Sequence, residues 1–151
     1  MIKPSMLGHV VIRVRDAQRS EDFYTKVLGL EVRNRTQGGK MRFFTSNPEI
    51  DHELAVAEIG EDAVGPVSEH VGMYHMAWEL ANMDEIKDAY RVVLDNDVDV
   101  AGFGDHGVVK GLYIRDPDGI EIELYAYAPE FEGTPLQEIL TRGSLRGTMA
   151  D

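Results

Sequence analysis

Residues 8–32, GHVVIRVRDAQRSEDFYTKVLGLEV, carry two periodicities that together predict a strand followed by a helix. The residues around His9 alternate between the two faces of the predicted strand, and the bulky apolar side chains lie on the face opposite His9: Val10, Ile12 and Val14. The later apolar residues have helical spacing: Phe23, Tyr24, Val27 and Leu28. Gly29 then fits the end of the helix. We expect the helix to cover the apolar face of the strand, leaving the His9 face free.

Residues 74–100, YHMAWELANMDEIKDAYRVVLDNDVDV, repeat this arrangement. His75 lies in an alternating segment whose opposite face is again apolar: Met76, Trp78 and Leu80. A helical stripe follows and ends near Asn96: Met83, Ile86, Ala89, Tyr90, Val93 and Leu94. The two histidines hold the same phase, which a slip of one residue would reverse. The matching phase indicates an internal repeat.

Each half continues with extended segments, at about 40–46 and 51–58 and at about 98–102, 107–115 and 120–127. Each half thus reads as a strand, a helix and then two or three strands, an α+β arrangement with modules at about 6–60 and 72–128. Residues 60–70, GEDAVGPVSEH, read as a linker between the modules. A C-terminal tail, 129–151, contains a predicted short helix at 135–140 and would wrap the domain or a partner subunit. The whole chain would form a single domain.

Composition excludes several classes of function. The chain has 151 residues, a formal net charge of −12 and no cysteine. The negative charge argues against a nucleic-acid partner, because phosphate binding needs clustered Lys and Arg. Without cysteine, a metal would have to be held by histidine and carboxylate side chains. No apolar run approaches the length of a membrane span, and the first residues lack the pattern of a secretory signal. We therefore expect a cytoplasmic protein without membrane partners.

Residues 104–125, GDHGVVKGLYIRDPDGIEIELY, end in an alternating strand. Glu121 and Glu123 share one face of this strand, so the alternation alone does not choose between them. His9 and His75 hold equivalent positions in the repeat, and we expect them to meet across a shared cavity. Two histidines and one carboxylate are the facial ligand set of non-haem Fe(II) oxygenases.

The paired modules, the two strand histidines and the ending DPDGIEIEL resemble the vicinal oxygen chelate superfamily over about residues 7–127. The resemblance implies an α+β fold in which paired βαβββ modules form a curved, mostly antiparallel sheet around a metal-containing cavity. The Asp-Pro-x-Gly-x-x-x-Glu ending selects Glu123 as the third ligand. The stretch 104–125 further resembles the signature of type I extradiol dioxygenases. The matching residues are His106, Leu112, Tyr113, Asp116, Pro117, Gly119 and Glu123. A second match is His52 in DHELAV, at the position of a catalytic histidine in such enzymes.

The resemblance implies an extradiol dioxygenase that opens a catechol-type aromatic ring beside its diol with O2, as in aromatic hydrocarbon catabolism. Fe(II), with Mn(II) as the other candidate, would be bound by His9, His75 and Glu123. His52 would act as acid and base, because histidine exchanges protons near neutral pH. The two remaining groups, His106 and Tyr113, would hydrogen-bond the substrate oxygens. The chain resembles the one-domain type, whose pocket is closed by its own tail or a second subunit, and we expect a homo-oligomer.

Two other functions fit the same fold. A glyoxalase-like isomerase or an epimerase would need a fourth ligand, usually Glu or Gln, on a late strand of the first half. Glu53 and Glu58 are near that position but offset, and a fosfomycin-type transferase has the same difficulty. A metal-free binding or resistance protein, such as a bleomycin-sequestering module, would have lost the ligands that this sequence retains.

Overall fold

The computed structural model describes residues 1–144, with the side chains of residues 1–141. The chain divides into two compact units, the first ending at Gly65 and the second beginning at Pro66. This division falls inside the segment that we expected to be a linker. The last part of the predicted tail, residues 145–151, lies outside the described residues.

The first unit runs strand, helix, strand, strand, strand. Its elements are β1 (Val10–Val14), α1 (Ala17–Lys26), β2 (Glu31–Thr36), β3 (Met41–Thr45) and β4 (Leu54–Glu58), with a 3-10 turn at Gln37–Gly39. The strands lie in the order β1-β4-β3-β2. Strands β1 and β4 are parallel, and the other neighbours are antiparallel. Because β1 and β4 are parallel neighbours, both strands begin at the same end of the sheet. The residues just before them, including His9 and His52, therefore lie at that end.

Helix α1 begins at a capping residue. The carboxylate of Asp16 accepts hydrogen bonds from the backbone N–H groups of Gln18 and Arg19, which would otherwise lack partners at the helix start. The helix packs against β3 and β4 and buries two aromatic side chains: Phe23 and Tyr24. It ends at Lys26, shortly before Gly29, whose φ of 69° reverses the chain. The predicted helix is therefore present, covering the apolar side of the sheet.

Strand β2 is absent from the predicted extended segments, and its sequence EVRNRT explains the omission. Its only apolar side chain is Val32, so it shows no alternation of polar and apolar residues. The strand forms because it pairs with β3, with a register shift between Val32 and Asn34. Its Arg35 also donates two hydrogen bonds to Glu21 of α1, at 2.8 and 2.7 Å. Both interactions come from partners outside the strand, the neighbouring strand β3 and helix α1.

The second unit repeats the order of the first. Its elements are β5 (Met76–Glu79), α2 (Met83–Asp95), β6 (Val100–His106), β7 (Val109–Arg115), β8 (Glu121–Tyr127), a 3-10 turn at Pro129–Phe131 and α3 (Leu136–Ser144). The sheet order β5-β8-β7-β6 corresponds to that of the first unit, and β5 and β8 are the parallel pair. The α+β prediction is confirmed: among the described residues two four-stranded sheets are each accompanied by a helix from the same sequence repeat.

The hairpin of β6 and β7 is longer than predicted. We expected β6 to end near residue 102, but it continues to His106, which pairs with Val109. The ammonium of Lys110 donates to the carboxylate of Asp105 at 2.7 Å and so joins the strands near the turn. Gly107, with a φ of 74°, completes the tight turn. His106 is thereby held at the end of a strand.

The described part of the tail packs within the second unit. Helix α3 contacts α2, β6 and β7 and buries an apolar face: Leu136, Ile139 and Leu140. It begins close to the predicted helix but continues to Ser144, beyond the predicted end at residue 140. The described part of the tail thus packs on a helix and a hairpin of its own unit. Wrapping of the domain or of a partner subunit by the whole tail stays a prediction.

No helix within residues 1–144 combines the length and the apolar character that a membrane crossing requires.

Candidate active site

The two predicted ligands of the second unit lie side by side. Strand β8 is parallel to β5 with Glu123 opposite Ala77, so its carboxylate lies on the same face as His75. Oε2 of Glu123 is 3.3 Å from Nε2 of His75, and Glu123 is only 8% exposed. Glu121 instead lies opposite Arg115, with its carboxylate 3.6 Å from the guanidinium. Tertiary pairing therefore separates the two glutamates that strand alternation could not.

The turn before β8 sets this register. The carboxylate of Asp116 accepts hydrogen bonds from the backbone N–H groups of Asp118 and Ile120, at 2.9 and 2.8 Å. Gly119 has a φ of 88°, a conformation that glycine adopts without strain. A polar turn with two internal hydrogen bonds fixes where the strand starts, and with it the face to which Glu123 belongs.

Tyr113 connects the predicted ligand to a predicted substrate-binding histidine. It lies directly opposite Glu123 in the pairing of β7 and β8, and its hydroxyl donates to Oε1 of Glu123 at 2.9 Å. Nε2 of His106 is 3.3 Å from the same hydroxyl oxygen. Burial and then the hydrogen bond to Glu123 raise the pKa of Tyr113 to about 12. The phenol therefore stays protonated at neutral pH.

Three further residues near His75 and Glu123 were not among the predicted site residues: Tyr74, Glu79 and Tyr125. The ring of Tyr113 packs edge-on to the imidazole of His75, with 5.6 Å between centroids, and Tyr74 lies 5.2 Å from the same imidazole. The hydroxyl of Tyr125 donates to Glu79 at 3.2 Å, and burial followed by Glu79 raises the pKa of Tyr125. In the sequence, the alternation of strand residues places Glu79 on the same face as His75 and Tyr125 on the same face as Glu123. This alternation was the available signal for Glu79 and Tyr125.

His75 leaves one polar atom without a contact. Its buried Nδ1 has no hydrogen-bond partner among residues 1–144, whereas Nε2 faces Glu123. Ligand atoms at right angles, each about 2.1 Å from a metal, are about 3 Å apart. The spacing of Nε2 and Oε2 therefore fits two neighbouring ligands of one divalent metal.

In the first unit His9 and His52 lie together. Their ring centroids are 4.6 Å apart, and Phe43 packs edge-on against His52 at 5.0 Å. Nδ1 of His52 is 2.5 Å from a carboxylate oxygen of Asp51. The backbone N–H of Val10 donates to the backbone carbonyl of Glu53 at 2.8 Å, which holds the starts of β1 and β4 together. Sequence reasoning overlooked Asp51 and Phe43; the adjacency of Asp51 to His52 was the one available sign.

The two glutamates weighed as a fourth ligand have other partners. Glu53 accepts hydrogen bonds from the backbone N–H and the hydroxyl of Ser46, at 3.1 and 2.7 Å. Glu58 accepts from the backbone N–H of Ala17 at 3.2 Å and lies 3.8 Å from the ammonium of Lys40. Both carboxylates support the fold of the first unit, so neither is free to serve a metal without losing these contacts.

The predicted metal ligands are divided between the units, His9 in the first and His75 with Glu123 in the second. Within residues 1–144, no group of three or more His, Asp, Glu or Cys side chains is arranged to hold a metal ion. The structure thus brings together the pair of His75 and Glu123 and the pair of His9 and His52. Assignment of all three residues to one metal stays a prediction.

Comparison with known proteins identifies the family. Residues 6–124 match the model of the Glyoxalase/Bleomycin resistance protein/Dioxygenase superfamily. The chain belongs to this superfamily, whose enzymes use divalent metals and include both dioxygenases and glyoxalases.

Its curated relatives have two different activities. A catechol-2,3-dioxygenase from Bacillus subtilis (strain 168) is 32% identical over 124 residues, which are 82% of this chain and 42% of that protein. This chain thus spans less than half the length of that relative. A lactoylglutathione lyase from Escherichia coli O157:H7 is 32% identical over 130 residues, which are 78% of this chain and 90% of that protein. Overall identity therefore does not separate the two reactions.

A solved structure shows the same fold. The crystal structure of a glyoxalase/dioxygenase from Nostoc punctiforme superposes with a TM-score of 0.67 at 23% identity, over 84% of this chain and 96% of that one.

Proposed function

We propose that the chain is an extradiol, or meta-cleaving, dioxygenase that opens the ring of a catechol-type substrate beside its diol with O2. The observation that carries the proposal is the linkage on one face of the second unit, where Tyr113 joins His106 to Glu123. These are the residues that the extradiol-type sequence pattern selects. Similarity to a catechol-2,3-dioxygenase supports the same reaction.

Fe(II) is the proposed metal, with Mn(II) as the alternative, held by His9, His75 and Glu123. The spacing between His75 and Glu123 supports a shared ion, and two imidazoles with one carboxylate suit non-haem iron. When bound, the metal would supply the redox chemistry by which O2 attacks an aromatic diol. A ligand set with a single negative charge leaves a divalent site positive overall, which favours an anionic chelating substrate.

His52 is the proposed acid and base. An ionised carboxylate only accepts hydrogen bonds, so the contact with Asp51 requires the proton of neutral His52 to lie on Nδ1. Nε2 then keeps a free lone pair that can take the proton of a substrate hydroxyl. Contacts with His9 and Phe43 limit the rotation of the ring. The side chain is thus oriented for proton transfer without a further rearrangement.

Two roles are proposed for the other polar groups. His106, exposed at the end of β6, would hydrogen-bond a substrate oxygen. Tyr113, which remains protonated, donates to Oε1 of Glu123 and leaves Oε2 turned toward His75. It would keep the carboxylate in the orientation that a metal ligand needs and present its phenol oxygen to the substrate.

A glyoxalase-type lyase is the second candidate, because this chain covers 90% of the length of the lactoylglutathione lyase relative. The contacts of Glu53 with Ser46 and of Glu58 with Lys40 count against it, since a fourth carboxylate ligand would have to leave them. The position of His52 beside His9 would also remain unexplained in a lyase.

The two functions are separated by parallel assays. Protein loaded anaerobically with Fe(II) is mixed with catechols in air, and the yellow ring-fission product is followed by absorbance. The same preparation is assayed for the formation of lactoylglutathione. We expect ring fission. Lactoylglutathione formation without ring fission would replace the proposal by the lyase.

The role of His52 is tested by His52→Ala, with His70→Ala as control because His70 lies exposed in the linker segment. We expect His52→Ala to retain Fe(II) and to lower kcat by ~10²-fold or more, the usual size of general acid–base assistance. An unchanged kcat would remove His52 from the mechanism.

A further inference from the structure

We propose that Gly104 and Gly111, paired across β6 and β7, are positioning residues that keep space for Tyr113 and Glu123. The proposal rests on the proposed role of Glu123 as a metal ligand. All four side-chain positions lie on the same face of the second sheet, because strand residues two apart and cross-strand partners share a face. Neither glycine has a positive φ, so backbone strain does not explain why glycine is present.

At Gly111 the space is taken by the carboxylate of Glu123. A Cβ added at Gly111 would approach Oε1 of Glu123 more closely than real Cβ atoms approach any neighbour, and Cδ and Cγ would each be 3.3 Å away. The three nearest atoms thus all belong to one side chain. Glu123 lies across the backbone of β7 because the hydroxyl of Tyr113 draws Oε1 in that direction.

At Gly104 the space is taken by the ring of Tyr113. A Cβ there would lie 2.7 Å from Cε2 and 3.2 Å from the hydroxyl oxygen of Tyr113, and 3.2 Å from Nε2 of His106. The direct cross-strand partner of Tyr113 is Gly102, yet a Cβ at Gly102 would have no atom within 4 Å. The ring therefore leans away from its own partner and over Gly104.

The two glycines together explain how a long carboxylate and a phenol can lie flat on one hairpin. With Oε1 over Gly111 and bonded to Tyr113, the other oxygen of Glu123 faces His75 at 3.3 Å. A methyl group at residue 111 would push the carboxylate off the strand and turn Oε2 away from His75. A methyl group at residue 104 would act indirectly, by displacing the phenol that holds Oε1.

The first test is metal affinity. Gly111→Ala is compared with Gly102→Ala, a matched control from the same hairpin whose added methyl group meets open space. Anaerobic Fe(II) competition against a chromophoric chelator gives the affinity. We expect Gly111→Ala to weaken binding by ~10- to 100-fold, as loss of an orienting neighbour does, with Gly102→Ala unchanged. Shortening the carboxylate in Gly111→Ala/Glu123→Asp should restore part of the affinity. Equal affinity of Gly111→Ala and wild type would overturn the proposal.

The second test needs no metal. Melting temperatures of the metal-free protein are measured for Gly111→Ala alone and in a Glu123→Ala background. We expect Gly111→Ala to lower Tm when Glu123 is present. In the Glu123→Ala background it should raise Tm, because the methyl group then meets no carboxylate and only the backbone freedom of glycine is lost. Gly102→Ala should raise Tm in both backgrounds.

The two tests separate the proposals. An equal effect of Gly111→Ala on Tm in both backgrounds would overturn the positioning role, whatever the metal data show. If the wild-type protein binds no Fe(II) while the coupling between residues 111 and 123 is present, the proposed dioxygenase function fails and the positioning role stands.

Discussion

The hydroxyl of Tyr113 and the carboxylate of Glu123 form the central side-chain pair of the second unit. One oxygen of the carboxylate accepts a hydrogen bond from the phenol and the other faces His75, so each oxygen has a separate partner. A hydrogen bond to an ionised acceptor contributes more than one between neutral groups. The carboxylate of Glu123 is therefore held in one orientation as well as buried, and a metal ligand needs a fixed orientation.

Removing that hydrogen bond gives a specific prediction. Tyr113→Phe keeps the ring over Gly104 but leaves Oε1 of Glu123 without its donor. We expect Fe(II) affinity to fall ~10-fold or more, in the range found when a hydrogen-bonding neighbour of a ligand is lost. Tyr125→Phe, which removes a similar hydroxyl bonded to Glu79 on the same face, is the matched control. Equal affinities of the two variants would show that Tyr113 does not orient the ligand.

Helix α1 is tied to its sheet by a charged cluster as well as by apolar packing. Glu21 accepts from Arg35 of β2 and from Arg42 of β3, with the closest contact to Arg42 at 2.6 Å. The side chains of Glu21 and Arg42 are only 12% and 10% exposed. The hydrogen bond from Arg35, followed by that from Arg42, holds the pKa of Glu21 below its usual range.

The cluster predicts a pH-dependent stability. Glu21→Gln should cost about 2 kcal/mol of unfolding free energy near neutral pH, the scale of hydrogen bonds to charged groups. Because the pKa of Glu21 is lowered in the folded state, this contribution is present above the ordinary carboxyl pKa. It is lost as pH falls through the lowered value. Urea denaturation at neutral and at acidic pH measures the difference.

Glu61→Gln is the control, since Glu61 is exposed and its carboxylate lies 3.6 Å from Arg19. A change of less than about 0.5 kcal/mol is expected for such a surface pair. A Glu21→Gln effect that does not diminish at low pH would contradict the assigned cause.

The hairpin of β6 and β7, which carries His106 and Tyr113, contains a buried lysine that is paired with an aspartate. Lys110 is fully buried, and its ammonium donates to Asp105, whose pKa this bond lowers. Breaking one side of such a pair leaves an uncompensated charge, whereas replacing the cation by an apolar side chain of similar size removes the need for pairing. We expect Asp105→Asn to lower Tm by more than Lys110→Met does. The opposite order in a thermal melt would mean that the ion pair does not hold the hairpin.

The two units share an element order and a strand order, and the proposed ligands come from both. A metal that binds only the folded protein stabilises it by an amount that grows with the logarithm of the metal concentration, about 2.7 kcal/mol at a hundred times Kd. We therefore expect Fe(II) to raise Tm, and both His9→Ala and His75→Ala to abolish most of that rise. Calorimetry with and without a chelator measures it. A full rise in His9→Ala would remove the first unit from the metal site.

The assembly of the protein into a homo-oligomer stays a prediction. Light scattering of the purified chain, with and without Fe(II), measures its mass in solution. A mass above one chain in either condition would agree with the prediction, and a monomer in both would contradict it.

Local periodicity was sufficient to predict much of the architecture. The alternation around His9 and His75 placed their bulky neighbours on the opposite face, and in the first unit Ile12 and Val14 are buried as expected. Helical stripes predicted both main helices. These features depend on residues only a few positions apart, so their signal is contained in short windows. The polar strand β2 and the full length of β6 were not predicted, because pairing with neighbouring strands stabilises these segments.

The candidate site, too, was predicted only in part from the sequence. The matched strand phase selected His9 and His75, and the resemblance to extradiol dioxygenases selected His52, His106, Tyr113 and Glu123. Two of the arrangements that orient those side chains came only from tertiary structure: the hydrogen bond from Tyr113 to Glu123, and the open backbone at Gly104 and Gly111. Alternation could not separate Glu121 from Glu123, whereas sheet pairing turned one toward Arg115 and the other toward His75. The reason is physical: alternation is a property of one strand, while register is a property of the strands that meet.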